Sequence, residues 1–171
     1  MNTLSLIGTA LFALGTMSLA TDGQARERSR SVARDAHGGQ VSVTRSNAAF
    51  DAQRQRRWQA DGQGNASIER DAHIDGARGA SATRNAGAYR HADGSAGRYG
   101  SVSIDGRRGG SATSTGAITR AADGSIAGSR STSATGPNGG TYSGSTTRVD
   151  GSVQHSHSCT DAAGQPVACR R

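Results

Sequence analysis

The sequence contains no lysine, and beyond Ala20 it contains neither leucine nor methionine. Without lysine the chain cannot carry a P-loop or a lysine Schiff base. Five isoleucines, seven valines and Phe50 supply all the Leu, Ile, Val and Phe after position 20. This content lies below the roughly 20% at which a packed core becomes doubtful. An ordinary globular core is excluded, which leaves a repetitive β structure held by backbone hydrogen bonds, or a largely disordered chain.

Motifs of catalysis are also missing. The sequence has no GxSxG nucleophile elbow, no HExxH zinc motif and no GxGxxG opening a helix. With so few apolar residues, the chain cannot enclose a dry pocket for a reaction. We therefore expect no enzymatic activity, no cofactor and no small-molecule substrate.

Residues 1–20 are the most apolar part of the chain and end in the small-x-small pattern Ser18-Leu19-Ala20. This pattern predicts a cleaved signal peptide over 1–20, with cleavage after Ala25 as a second possibility. A retained membrane span fits less well, because Gly8 and Gly15 interrupt a run shorter than about 18 clean apolar residues. We expect an exported protein, periplasmic or extracellular, with no stable membrane span after cleavage.

The charge of the chain is strongly positive, with twenty arginines against thirteen acidic residues and a formal net charge of +7. Such a charge favours attraction to polyanions, including acidic polysaccharide, lipopolysaccharide and nucleic acid. The densest cluster is Arg54, Arg56 and Arg57. Four Thr-Arg pairs, which end in Arg45, Arg84, Arg120 and Arg148, recur after runs of small residues and predict a basic stripe if the strands stack in register. The alternative is a solvated edge that discourages aggregation of sheets.

The chain after position 20 divides into two parts. Residues 21–34, rich in Arg and Ser, are expected to be a flexible arm, and 35–171 a β-repeat region. Turn signals, mostly an Asp or Asn beside Gly, divide the second part at intervals of roughly 10 to 20 residues. They fall near Asp35, Asp51, Asp61, Asp75, Asp93, Asp105, Asp123, Asn138, Asp150 and Asp161. We predict an all-β fold, a meander or degenerate β-repeat array of short antiparallel strands with Asp-Gly and Asn-Gly turns.

Apolar and hydroxyl residues alternate between the turns, as in residues 41–44 (Val-Ser-Val-Thr) and 101–104 (Ser-Val-Ser-Ile). A period of two predicts strands with an apolar face on a thin inner layer and a Ser/Thr face toward water. Small residues such as Ala and Gly would allow two such sheets to approach closely.

Residues 46–60 have two interpretations. Phe50, Arg54 and Trp58 have helical spacing after Ser46, a possible N-cap, which favours an amphipathic helix. The same stretch, continued as FDAQRQRRWQADGQGN, resembles the tyrosine-aspartate (Rhs-type) repeats of secreted bacterial proteins, and residues 161–167 have a similar turn. That resemblance covers about 25 residues and implies hairpin geometry without an activity. More generally, the composition is similar to that of small secreted Gly/Ser/Thr/Arg-rich repeat proteins of GC-rich Gram-negative bacteria.

The C-terminal residues 152–171 contain both cysteines. Cys159 and Cys169 flank a turn, and export favours their oxidation to a disulfide hairpin. His155, His157 and Cys159 would share one face of a strand, where they could bind Zn²⁺ or Cu²⁺. Oxidation of Cys159 would leave only His155 and His157 as a weak metal site.

Three functions follow as hypotheses. The first is a secreted, non-enzymatic structural or surface-interaction protein, in one version self-associating through its strands. The second is a module that binds an anionic polymer through its distributed arginines. The third is a weak periplasmic metal binder.

Overall fold

The computed structural model describes residues 26–169. The predicted signal peptide 1–20, the second cleavage site and the first residues of the predicted arm lie outside the described residues. No helix in the part of the chain that the structure describes is long and apolar enough to cross a membrane.

The described chain forms one open antiparallel sheet of eleven strands in sequence order, and none of it is helical. This confirms the prediction of an all-β meander. Each strand pairs with its chain neighbours, so every connection is a hairpin. The strands are β1 Glu27–Arg34, β2 Gly38–Asn47, β3 Phe50–Ala60, β4 Ala66–Gly76, β5 Ser81–Arg90, β6 Ala96–Asp105, β7 Ser111–Arg120, β8 Ile126–Thr135, β9 Thr141–Val149, β10 Ser152–Thr160 and β11 Pro166–Val167.

Two segments differ from the expectations. Residues 27–34 are not a flexible arm but the edge strand β1. The helix considered for 46–60 is wrong: the Asn47 Oδ1 accepts hydrogen bonds from the Ala49 and Phe50 N–H groups in a tight turn, and β3 follows. Phe50, Arg54 and Trp58 are four residues apart, a spacing that fits one face of a strand as well as one face of a helix. Pairing with β2 and β4 decides between the two.

A positive-φ glycine recurs every 15 residues through the middle of the sheet, with φ from 78° to 106°. These glycines are Gly64, Gly79, Gly94, Gly109, Gly124 and Gly139. Five of the six lie fourth in a five-residue loop, in which the fourth N–H donates to the first carbonyl and the first N–H to the fifth carbonyl, as in 106–110. This is a three-residue hairpin loop with a glycine bulge. The repeat is stricter than the 10 to 20 residues expected, because the constant feature is this glycine and not Asp. Asp75 lies within β4, which ends at Gly76, and Asp105 ends β6.

The register assigns every strand residue to one of two faces. Directly paired residues share a face, and from β3 to β9 all paired residues have numbers of equal parity, for example Trp58 with Ile68 and Arg84 with Val102. Even-numbered residues of β1 and β3–β9 therefore share one face with odd-numbered residues of β2, β10 and β11. We call it the arginine face, and the opposite one the hydroxyl face.

The sheet is a single layer, and residues 26–169 contain no buried hydrophobic side chain. The thin inner layer expected from the alternation is therefore absent from this part of the chain, since no second sheet covers the apolar face. Three aromatic rings each cover a glycine backbone: Trp58 lies over Gly39, Tyr99 over Gly87 and Tyr89 over Gly97. Each ring crosses a glycine on an adjacent strand, and Gly87 is buried in this way.

Candidate polyanion-binding face

Thirteen of the fourteen strand arginines lie on one face of the sheet, and all thirteen are exposed. Arg57 is the exception and lies on the hydroxyl face, where it donates hydrogen bonds to Gln40 and Gln55. The arginine face carries Arg28, Arg30, Arg34, Arg45, Arg54, Arg56, Arg70, Arg84, Arg90, Arg98, Arg120, Arg130 and Arg148.

The strand carboxylates lie on the opposite face. They are Glu27, Asp51, Glu69, Asp71, Asp75 and Asp105. Within 26–169 the one ion pair is His73–Asp75, at 2.6 Å between Nε2 and Oδ2, so none of the arginines in this range pairs with a carboxylate. A sheet one residue thick thus separates a cationic face from a face with excess negative charge.

Few arginine-face guanidinium groups have a partner within the described chain. The Arg130 Nε donates to the Ser114 Oγ at 3.1 Å, and the Arg120 Nη2 donates to the Gly94 carbonyl at 3.1 Å. Arg34 and Arg56 lie 6.0 and 5.4 Å from the Trp58 ring centroid. Most of these guanidinium donors therefore remain available to an external anion.

Two shallow depressions, both open to solvent, lie on the arginine face. One of about 670 Å³ is bordered by Arg30, Arg34, Arg54, Arg56, Arg70 and Arg84. A second, of about 830 Å³, shares Arg70 and Arg84 and continues to Arg98 and Arg130. Its floor is low because Ala86, Gly100 and Gly116 are consecutive register partners across three strands. Eight of the thirteen arginines therefore border two adjoining depressions.

The predicted arginines fall on this face with one exception. Arg45, Arg84, Arg120 and Arg148 all lie there, but at different heights along their strands: the register partners of Arg84 continue to Ser114 and Gly144, and those of Arg148 to Ile118. They are scattered over the arginine face and do not form the single stripe expected. Arg54 and Arg56 lie on the arginine face as well, whereas Arg57 does not. Sequence reasoning missed seven arginines of this face, because only the register shows that they share it. They are Arg28, Arg30, Arg34, Arg70, Arg90, Arg98 and Arg130.

Cys159 and Cys169 form the expected disulfide, with their Cα atoms 5.3 Å apart. Cys159 therefore cannot act as a thiolate ligand. His155 and His157 do share the arginine face of β10, and the His155 Nδ1 lies 2.9 Å from the Thr146 Oγ1. Among the described residues no group of three or more His, Cys, Asp or Glu side chains converges on a metal-sized site.

The hydroxyl face carries cross-strand pairs of Ser and Thr. Thr113 and Ser133, and likewise Ser145 and Ser156, have their hydroxyl oxygens 2.7 Å apart. The Tyr99 hydroxyl crosses Gly87 to donate to Glu69, at 3.5 Å. The polar groups of this face thus bond largely to one another, in contrast to the arginines of the opposite face.

Carboxylates at the rims of the sheet stabilise turns. The Asp123 Oδ1 accepts hydrogen bonds from the Ser125 N–H and hydroxyl, and these bonds lower the pKa of Asp123. The Ser95 hydroxyl and N–H lower the pKa of Asp93, and the Asn65 side chain lowers the pKa of Asp61. These acids are ionised at neutral pH but lie in loops and not among the arginines.

No protein-family model matches the sequence, and no curated protein or solved structure matches it either. The functional interpretation therefore rests on the geometry of the arginine face. Exposed guanidinium groups can bind phosphate, sulfate or carboxylate groups by paired hydrogen bonds. An array of this size offers many such contacts at once.

Proposed function

We propose that the protein is an exported, non-enzymatic surface-interaction protein that binds an anionic polymer through its arginine face. The observation that carries the proposal is the segregation of charge: thirteen arginines share a face with no strand carboxylate. A solvated sheet that used charge only for solubility would gain from mixing the two signs, because opposite charges on neighbouring strands stabilise pairing. Export is supported by the apolar N-terminal run and by the disulfide.

Binding to a polyanion has a distinctive salt dependence. Each anionic group neutralised releases counterions, so affinity falls steeply as salt rises. A face that engages about four charges at once would lose roughly a hundredfold in affinity between about 50 and 200 mM salt.

The test measures binding of the mature chain to fluorescent dextran sulfate, with uncharged dextran as the reference ligand. One variant combines Arg54→Gln, Arg56→Gln and Arg84→Gln on the arginine face. Its matched control combines Arg57→Gln, on the hydroxyl face, with Arg78→Gln and Arg107→Gln in turns, which gives the same change in net charge. We expect the first variant to lose roughly tenfold or more in affinity and the control to lose much less. Equal losses, or no binding at low salt, would overturn the proposal.

A second function, structural self-association, is favoured by the edges of the sheet. Within the described residues the outer edge of β1 is unpaired, and β11 covers β10 only at Cys159 and Thr160. β1 and β10 run in opposite directions, so β10 of one copy can pair antiparallel with β1 of the next. Such unpaired edges are templates for association of chains.

Sedimentation velocity over a wide concentration range, together with binding of a fibril dye, tests the second function. Association that rises with concentration and adds β signal supports it. A chain that remains monomeric and binds no dye after days at high concentration excludes it, without bearing on the arginine face.

A further inference from the structure

The arginine face also carries nearly all the large apolar side chains of the described chain. Within residues 26–169, every isoleucine, six of the seven valines, Phe50 and Trp58 lie on it, whereas Val149, Tyr89 and Tyr99 lie on the hydroxyl face. The aliphatic members are Val32, Val41, Val43, Val102, Val153, Val167, Ile68, Ile74, Ile104, Ile118 and Ile126.

Five of these eleven side chains are exposed, and the other six are half-buried. The exposed ones are Val32, Ile74, Ile104, Val153 and Val167. Ile104 is 47% exposed, Val153 49%, Val32 41% and Ile74 39%, because nothing in the described chain covers the face.

A continuous apolar row crosses six strands of this face, because its members are consecutive register partners: Ile74, Ala82, Ile104, Ala112, Ala134 and Tyr142. Contiguous apolar surface of this kind marks a surface that another phase or partner covers. A partner that covers this face must accept hydrogen bonds from the guanidinium groups and must also shield the aliphatic side chains from water.

Charge and polarity distinguish the available occupants. A soluble polyanion pairs with the arginines but leaves the aliphatic side chains in water. A second arginine face would oppose cation to cation. The hydroxyl face of another copy offers six strand carboxylates, but it has few large apolar side chains to cover the valines and isoleucines. The surface of an anionic bilayer supplies both components, with phosphates at the headgroups and an apolar boundary just beneath them.

We infer that the arginine face binds the surface of anionic lipid, with guanidinium groups on the headgroup phosphates and Val and Ile side chains at the boundary with the acyl chains. This inference rests on the proposed function, because it keeps the anion-binding role of the arginine face and assigns a lipid surface, in place of a soluble polymer, as the anionic partner. The contact is interfacial: the sheet lies on the bilayer, and the hydroxyl face remains toward water.

Trp58 makes the inference measurable. It is the one tryptophan of the chain, it lies half-buried on the arginine face, and Arg34 and Arg56 flank its ring. Indole side chains favour the membrane interface, where the ring is in contact with acyl chains and the N–H with headgroups. Its emission therefore reports contact between this face and a bilayer.

The experiment adds vesicles of phosphatidylglycerol and phosphatidylcholine, or of phosphatidylcholine alone, to the mature chain. With the anionic vesicles we expect a blue shift of Trp58 emission and quenching by brominated acyl chains. A control moves the reporter to the other face through Trp58→Phe and Tyr99→Trp, and its emission should stay unquenched on the same vesicles. Quenching of the Tyr99→Trp reporter equal to that of Trp58 would overturn the assigned face.

A pair of valines on neighbouring strands isolates the apolar contribution. Val153→Ser removes an aliphatic side chain from the arginine face, and Val149→Ser removes one of similar exposure, 49% against 59%, from the hydroxyl face. We expect Val153→Ser to weaken vesicle binding several-fold, Ile104→Ser to weaken it by roughly tenfold, and Val149→Ser to have no effect. Binding to dextran sulfate should be unchanged in all three.

The two ligands keep the inference and the proposed function separate. Binding to dextran sulfate without binding to anionic vesicles would overturn the lipid inference and leave the proposed function standing. Failure to bind either ligand would overturn both. If Ile104→Ser and Val153→Ser leave vesicle binding unchanged, the contact is purely electrostatic, and this result would also overturn the inference. Far-UV circular dichroism of each variant verifies that the sheet has formed.

Discussion

Arg56 of β3 and Arg70 of β4 are direct register partners on the arginine face, so two like charges oppose each other across adjacent strands. Arg28 and Arg45 form a second such pair between β1 and β2. Like charges directly opposite destabilise a sheet by up to about 1 kcal/mol. No strand carboxylate on this face offsets the repulsion, whereas a bound anion would. These like-charge pairs thus lower the free energy of unfolding of the free chain. A bound anion would relieve the repulsion and stabilise the fold.

Replacement of one member of the pair tests this coupling. Arg70→Thr removes the repulsion and places a residue of high β propensity in β4, so we expect the free chain to gain about 0.5 kcal/mol. Saturating dextran sulfate should reverse the order, because the variant has lost an anion contact. Thermal melts with and without the polymer measure both effects.

Arg57→Thr is the control for that prediction. Arg57 opposes Glu69 in the register and donates hydrogen bonds to Gln40 and Gln55, so its loss should destabilise the free chain. Destabilisation of the free chain by Arg70→Thr, equal to that by Arg57→Thr, would refute the view that like charges oppose folding here.

The loop 136–140 offers a second test within one turn. Gly139 has φ +84°, a conformation that costs other L-residues about 1–2 kcal/mol, so Gly139→Ala should destabilise by that amount. Gly136 has no positive φ, and a Cβ there would meet the Gly140 carbonyl at an ordinary 3.6 Å. Gly136→Ala should therefore be neutral or stabilise by a few tenths of a kcal/mol. Thermal melts of the two variants compare them directly, and equal losses would contradict the assigned role of the fourth loop position.

The composition and the turn residues are enough to predict an antiparallel meander. Gly, Asp and Asn recur at short intervals with β-branched residues between them, and this pattern favours short strands joined by tight turns over helices. The positions of Asp alone do not show the 15-residue spacing, because Asp occupies different places relative to the loops. In the loops 76–80 and 106–110, Arg78 and Arg108 precede the positive-φ glycine, so counting from acids skips or misplaces these turns.

The arginine face could not be predicted without the register. A shift of one residue moves every side chain of a strand to the other face, so Thr-Arg pairs alone do not show which arginines lie together. Arg56 and Arg57 show this plainly, since these neighbours in the densest cluster lie on opposite faces. The single layer was unexpected because apolar alternation normally indicates a covered face.

Reduction of the disulfide tests how much the C-terminal hairpin contributes. Cys159 and Cys169 are separated by ten residues and attach β11 to the outer edge of β10. Opening a loop of this length should destabilise by about 2–3 kcal/mol through the entropy of the unfolded chain. Thermal melts with and without reductant measure the loss. A variant with Cys159→Ser and Cys169→Ser should already melt at the lower temperature and show no response to reductant, and a reductant response in it would point to another cause.

Acid should weaken the turn at residues 121–125. Because the Ser125 N–H and hydroxyl lower the pKa of Asp123 below its ordinary 3.8, the stability from this carboxylate is present above pH 3.8 and is lost as the pH falls through the folded pKa. Asp123→Asn retains an oxygen acceptor without a charge. Thermal midpoints from neutral pH to about pH 2 should therefore show the native chain above the variant at neutral pH, with a gap that closes below pH 3.8. A gap that stays constant over the whole range would show that ionised Asp123 adds nothing to the turn. Ser125→Ala removes one of the two donors and should narrow the gap at neutral pH, because fewer hydrogen bonds then favour the carboxylate over the amide.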